Sequence, residues 1–127
     1  MKEKRITTKT AVLTLTEDGI VRVSSPPDVV DTLATAQENA RAFEKLCRGK
    51  KCPVLIYITA TRGEPQEVRR FYSDLSLTIP VAASALVVST PVSKVIGSFY
   101  IGINRPHHPI KLFTSETEAV EWLKQYL

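Results

Sequence analysis

The feature that most constrains this sequence is a run of apolar residues near its middle, from Val54 to Ile58. Apolar residues occupy consecutive positions, whereas a strand with one solvated face alternates between apolar and polar residues. The run is rich in β-branched and aromatic residues, which favour a strand over a helix. The stretch from Pro53 to Thr61 is therefore predicted to contain a central strand that is buried on both faces.

An antiparallel hairpin is predicted before this strand. Residues 11–16 and 20–23 have strand patterns, and residues 17–19 between them read Glu-Asp-Gly. Asp-Gly supplies the positive φ values that a tight hairpin turn needs. Residues 1–9 are expected to form a flexible tail, so that residues 10–127 make up a single domain.

Four helices are predicted from apolar spacing and from end signals. The first runs from an N-cap at Thr32 to about Arg48 and is ended by Gly49. The second opens with Pro65, a residue favoured in the first turn, and the third lies within residues 91–104. The fourth begins with a capping box, because Ser115 is followed three positions later by Glu118.

Two further strands, at residues 84–88 and 110–113, alternate with these helices. The predicted order is β-β-α-β-α-β-α-β-α. Strand–helix–strand connections of this kind are right-handed parallel crossovers. The expected fold is an α/β domain with a five-stranded, mostly parallel sheet and four helices.

Composition limits the classes of function. The chain has 127 residues, of which 43% are hydrophobic and 24% charged, as in ordinary soluble domains. No apolar run reaches the ~20 residues of a membrane span, and the charged start is not followed by the apolar segment of a signal peptide. We therefore expect a cytoplasmic protein. The net charge is +4, but the basic residues are dispersed, so no nucleic-acid partner is expected.

The element order over residues 10–127 resembles the STAS-like, or SpoIIAA-like, family, whose fold is that of the sporulation anti-anti-sigma factors. Sec14/CRAL-TRIO lipid-binding domains use the same architecture. Residues 91–97, Pro-Val-Ser-Lys-Val-Ile-Gly, and residues 112–116, Leu-Phe-Thr-Ser-Glu, are similar to small bacterial STAS-like proteins of unassigned function. The resemblance implies a (βα)4 superhelix with an extra N-terminal strand.

One motif of that family is not matched. Anti-anti-sigma factors carry an Asp-Ser-Ser-Gly-like motif where the third strand meets the second helix, and its serine is phosphorylated. Residues 61–67 of this chain read Thr-Arg-Gly-Glu-Pro-Gln-Glu and contain no serine. The phosphorylation switch is therefore not carried over.

Two surfaces are candidates for binding. The helix starts at residues 63–66 and 89–93 should face the same sheet edge, and helix starts bind anions. A small anion pocket is one interpretation and simple helix capping is the other; the pocket would be lined by Thr59, Thr61, Arg62, Gly63, Thr90 and Ser93. The end of the third helix is apolar nearly all round. It is either core or a homodimer interface, made of Phe99, Tyr100, Ile101 and Ile103.

Signals for catalysis or metal binding are weak. His107 and His108 have no further ligand at a suitable spacing, which favours a solvated loop over a metal site. Cys47 and Cys52 do not form a Cys-x-x-Cys motif and are expected to be free thiols. Glu64 and Glu67, near the central junction, are ordinary partners of a helix dipole. We expect no catalytic residue, metal or cofactor.

The expected function is that of a non-catalytic STAS-like regulatory or protein-interaction module, as a homodimer with a regulatory protein partner. The alternative is a carrier or sensor that binds a small molecule, either an anion or a lipid. An enzyme is the third hypothesis, and it would need Glu64 or Glu67 in a cleft with a raised pKa.

Overall fold

The computed structural model describes residues 3–26, 28–58, 65–75, 79–89 and 108–127, which contain six strands and three helices. The strands are β1 (Lys4–Thr7), β2 (Val12–Leu15), β3 (Val21–Ser24), β4 (Cys52–Ile58), β5 (Val81–Val88) and β6 (Ile110–Phe113). The helices are α1 (Leu33–Cys47), α2 (Gln66–Ser73) and α3 (Glu116–Lys124).

All six strands form one mixed sheet in sequence order, from β1 at one edge to β6 at the other. The pairs β1–β2 and β2–β3 are antiparallel. The pairs β3–β4, β4–β5 and β5–β6 are parallel. The α/β class, the opening hairpin and the parallel strands after it are therefore confirmed.

The expected count of five strands and four helices does not match the structure. A sixth strand, β1, lies in the segment that was expected to be a frayed tail. Ile6 is the sole apolar residue of β1, so the segment has no alternation to reveal it. It becomes a strand by pairing with β2 and by packing Ile6 against the core. The helix predicted within residues 91–104 lies outside the described residues.

The predicted ends of the first and last helices are confirmed. The side chain of Thr32 accepts a hydrogen bond from the Thr35 N–H at 3.2 Å and caps the start of α1. At the other end, Arg48 has φ 52° and Gly49 has φ 76°, which turns the chain into β4. The Ser115 hydroxyl accepts from the Glu118 N–H at 3.3 Å and caps α3.

The core lies in two layers, one on each face of the sheet. One layer joins β1–β4 to α1 and includes Leu13, Val21, Phe43, Leu46 and Val54. The other joins the sheet to α3 and includes Ile20, Leu55, Ala85, Phe113 and Leu123. Because Val54 and the next residue, Leu55, belong to opposite layers, β4 is buried on both faces, as its continuous apolar run predicted.

Candidate functional site

The residues singled out from the sequence as binding residues lie outside the described ranges. This holds for the anion-pocket set, Thr59, Thr61, Arg62, Gly63, Thr90 and Ser93. It holds equally for the interface set, Phe99, Tyr100, Ile101 and Ile103. Both sets remain predictions. The described residues bring together three other groups of polar side chains.

The first group is a hydrogen-bond network around Asp31. It lies at the end of the sheet where the parallel strands have their carboxyl termini. Its members come from three separate parts of the fold: Thr8 and Thr10 from the β1–β2 turn, Asp31 just before α1 with Asn39 in the middle of that helix, and Tyr72 from α2. Polar ligand sites of open α/β sheets lie at this carboxyl edge. The network therefore marks the edge where a functional site is expected.

The Asp31 carboxylate is surrounded by donors. One oxygen accepts from the Thr10 hydroxyl at 2.7 Å and from the Thr35 hydroxyl at 2.8 Å. The other accepts from the Tyr72 hydroxyl at 2.9 Å. The Asn39 amide in turn donates to the Thr10 and Tyr72 oxygens at 3.0 and 3.2 Å. These bonds tie the β1–β2 turn and α2 to the start of α1.

The Asp31 network is expected to stabilise the fold, because two of its members are buried. Thr10 and Asn39 are each 7% exposed, and buried polar groups are costly unless they are hydrogen-bonded. Both Asp31 oxygens are already engaged, so the carboxylate suits the positioning of α2 better than proton transfer. α2 is the helix that follows the junction at residues 59–64, where the anion pocket is predicted.

A second polar cluster joins the hairpin turn to the start of α3. The Arg22 guanidinium lies 3.2 Å from an Asp18 oxygen and 3.1 Å from a Glu116 oxygen. The Tyr57 hydroxyl also donates to Glu116. Burial and the bond with Glu116 raise the pKa of Tyr57 above its ordinary value. This cluster fixes α3 on the sheet, and each charge in it already has a partner.

The Asp18 carboxyl provides a pH-dependent contribution to stability. Partial burial opposes its ionisation, but hydrogen bonds from the Thr16 hydroxyl, the Ile20 N–H and Arg22 outweigh burial and hold the pKa below the ordinary 3.8. A carboxyl whose pKa is lower in the folded state than in the unfolded state stabilises the fold at pH values above the unfolded-state pKa. This stabilisation is lost as the pH falls through the folded-state pKa.

We therefore expect Asp18→Asn to flatten the acid limb of the stability profile. Denaturant unfolding of the wild type should lose more stability between about pH 6 and about pH 3 than unfolding of the variant. Glu17→Gln changes the neighbouring, exposed acid and is the matched control. An equal loss in wild type and Asp18→Asn would show that this carboxyl is not stabilised by its partners.

A third polar contact pairs Ser84, in the interior of β5, with His108. The Ser84 Oγ and the His108 Nε2 are 2.8 Å apart, and Ser84 is buried. His108 is half-buried and lies in the loop just before β6, whereas His107 lies outside the described residues. A serine within a buried strand needs a partner, and the histidine provides it. Among the described residues, no group of three or more His, Cys, Asp or Glu is placed to hold a metal.

The two cysteines are free thiols, as predicted. Burial, together with a hydrogen bond to Cys52, raises the pKa of the Cys47 thiol far above its ordinary value. The thiolate is the reactive form of cysteine. Cys47, the last residue of α1, is buried in the core, where the raised pKa disfavours the thiolate.

Strand β1, the outermost strand of the sheet beside the Asp31 network, offers an exposed surface for binding. Lys4, Arg5 and Thr7 are exposed, as is Lys9 in the turn that follows. α3 packs on β4, β5 and β6, toward the opposite edge. In the described part of the chain, none of Lys4, Arg5 and Lys9 forms an ion pair. Cations on a short edge strand oppose indiscriminate strand pairing, so an extended chain that adds to this edge would need acidic side chains.

Sequence reasoning missed both the Asp31 network and the Ser84 contact. A signal for each was present, however. Asn39 stands three residues after Ala36, within the apolar stripe of α1, and Ser84 interrupts an apolar strand. A polar residue at a predicted core position indicates a buried hydrogen-bond partner, although it does not say which residue that partner is.

The chain is similar to the crystal structure of an uncharacterized protein of the DUF3478 family with a SpoIIAA-like fold, from Shewanella loihica PV-4. That likeness has a TM-score of 0.56 and 13% sequence identity, and it covers 96% of this chain and 92% of the other. The fold is thus SpoIIAA-like, as the resemblance implied.

The chain belongs to the family described as a domain of unknown function, DUF7793, whose model matches residues 14–127. It is also similar to a protein of unknown function from Arthrobacter sp. FB24, with 31% identity over 93% of this chain and 95% of that one, and a TM-score of 0.35. No curated protein matches the chain. None of the helices in the described ranges combines the length and apolar character needed to cross a bilayer.

Proposed function

We propose that this chain is a non-catalytic regulatory module that acts by binding a partner protein at the β1 edge of its sheet. The observation that carries the proposal is the edge strand Lys4–Thr7, whose exposed cations form no ion pair with any residue that the structure describes. A short edge strand that carries lysine and arginine resists indiscriminate pairing with other chains. An exposed strand edge with a distinct charge suits selective pairing with a protein.

The polar clusters support a non-catalytic role. A nucleophile or general base must reach a substrate in an open site. In the described residues, the Asp31 oxygens accept hydrogen bonds from Thr10, Thr35 and Tyr72. Glu116 is paired with Arg22, and Ser84 is buried in a strand. These groups hold the fold together, which favours binding over chemistry as the function.

The proposal also includes a homodimer and a cytoplasmic location. The predicted homodimer would use Phe99, Tyr100, Ile101 and Ile103, a surface separate from β1 in sequence. The predicted location is the cytoplasm, where a regulatory module of this class would meet its partner. Neither statement is needed for partner binding at the β1 edge.

Native mass spectrometry of the protein isolated from its source cells tests the proposal. We expect a complex of this chain with a second polypeptide in a fixed ratio. A discrete small-molecule mass on each chain, with no polypeptide partner, would contradict the proposal and favour the carrier of an anion or lipid. The same spectrum reports whether the chain itself is a dimer.

A further inference from the structure

The hydrogen-bond phase of the β1–β2 ladder determines which backbone groups of β1 point outward. The Thr8 N–H donates to the Ala11 carbonyl at 2.8 Å, just beyond the pair Thr7–Val12. In an antiparallel ladder, hydrogen-bonded and non-hydrogen-bonded pairs alternate. Ile6 therefore exchanges both its bonds with β2, while Arg5 and Thr7 direct their N–H and C=O groups away from the sheet.

The outward N–H and C=O groups of Arg5 and Thr7 are spaced as an added antiparallel strand requires. Arg5 and Thr7 are two residues apart along the strand, about 7 Å, which is the repeat at which an added antiparallel strand forms hydrogen-bonded pairs. Their side chains are exposed and share the sheet face opposite α1, together with Thr14 and Arg22. An incoming strand would meet backbone donors and acceptors here that are not used within the described residues.

Charge decides between the occupants of this edge. Lys4, Arg5 and Lys9 are exposed cations, and Glu3 is the acid beside them. A second copy of the chain would bring the same excess of positive charge to this edge, and the net repulsion favours an acidic strand over a second copy. Acidic side chains on the added strand would instead form favourable cross-strand pairs.

We infer that the outward groups of Arg5 and Thr7 bind an extended acidic segment of a partner protein as an added strand beside β1. The inference deepens the proposed function and rests on it. The partner residue opposite Arg5 lies on the face of the Arg5 side chain and is an acid. The next partner residue lies on the α1 side, beside Ile6, and is apolar. The recognised segment therefore has an acid opposite Arg5 and an apolar residue beside Ile6.

The probe for this inference is the capped peptide acetyl-Glu-Val-Glu-Val-Glu-Val-amide, and its control is the same peptide with lysine in place of glutamate. We expect the glutamate peptide to slow exchange of the Arg5 and Thr7 amides, with no change at Ile6 and Leu13, whose amides already bond within the ladder. Equal binding of the lysine peptide, or protection confined to other strands, would overturn the inference.

Two matched variants sharpen the test. Arg5→Glu should weaken binding of the glutamate peptide about tenfold, whereas Arg41→Glu, the same charge change on the exposed face of α1, should weaken it less than about twofold.

Thr7→Pro removes an outward N–H without breaking a bond to β2, and edge strands tolerate proline. It should weaken binding while the Leu13 amide stays protected. Unchanged peptide binding by both β1 variants would overturn the inference.

The outcomes separate this inference from the proposed function. If the polypeptide partner seen by native mass spectrometry is retained equally by wild type, Arg5→Glu and Thr7→Pro, the partner binds elsewhere, and both the proposed β1 site and this inference fail. If both variants lose the partner but the wild type does not bind the glutamate peptide, the β1 site stands and only the acidic added strand is overturned. If Arg5 and Thr7 are protected in a dimer without peptide, the edge belongs to a second copy and the acidic partner is excluded. If the wild type carries a small molecule alone, the proposed function itself fails.

Discussion

Replacing Leu55 with alanine is expected to lower the free energy of unfolding by about 3 kcal/mol, within the usual range of about 2–5 kcal/mol for a buried leucine. Leu55 is 0% exposed and packs with Ala85, Phe113 and Leu123 between the sheet and α3. Its removal leaves a cavity that the parallel strands on either side cannot close. Denaturant unfolding measures the loss, which is a large part of the stability of a typical domain.

Leu127→Ala is the matched control for the Leu55 prediction. It removes the same atoms at a position that is 63% exposed, so it should cost less than about 1 kcal/mol. Similar losses in the two variants would mean that the layer beneath α3 is not packed as described. A loss confined to Leu55→Ala supports β4 as the doubly buried centre of the sheet.

Replacing Asp31 with alanine is expected to lower the free energy of unfolding by about 3 kcal/mol. Hydrogen bonds to a charged group contribute about 1.5–3 kcal/mol each, and the contributions of one network are not additive. The change removes the acceptor shared by Thr10, Thr35 and Tyr72. Because α2 is held to α1 through Tyr72, amide exchange in α2 should also accelerate.

Asp28→Ala removes the same charge from an exposed position three residues earlier. As a surface change it should alter stability by less than about 0.5 kcal/mol. If Asp31→Ala is equally mild, the network is not a structural tie between the β1–β2 turn, α1 and α2. If Asp31→Ala is costly but leaves exchange in α2 unchanged, the network stabilises α1 alone.

The parts of the fold that follow from local signals were predictable from the sequence. Asp18-Gly19 placed the hairpin, Thr32 and Ser115 placed two helix starts, and the run after Pro53 indicated a doubly buried strand. Each depends on residues close together in the chain, where turn chemistry, capping and burial pattern operate. Interactions between residues close together in the chain therefore predict the order of the elements from β2 to β5 within the described residues.

Strand β1 could not be predicted in this way. Its residues Lys4-Arg5-Ile6-Thr7 contain one apolar side chain, and an isolated segment of this composition has little reason to be extended. Its strand state depends on the edge of β2, which is formed by residues 12–15. A tertiary interaction thus overrides a weak local preference, and it creates the surface on which the proposed function rests.

The Asp31 network was equally hidden. Thr10, Asn39 and Tyr72 are far apart in the sequence, and hydrogen bonds between distant side chains leave no periodic pattern. The polar position in the α1 stripe indicated only that a partner existed. The predicted anion pocket and homodimer interface stay predictions, since their residues lie outside the described ranges.

The most direct test of the central claim is site-resolved amide hydrogen exchange by NMR on the isolated chain. If β1 is a strand with a free outer edge, the amides of Ile6, Thr8 and Leu13 are protected, while those of Arg5 and Thr7 exchange at nearly unprotected rates. Free exchange at Ile6 and Thr8 as well would mean that residues 4–7 are a frayed tail. Protection of Arg5 and Thr7 in the isolated chain would mean that the edge is already covered, and either result would contradict the account.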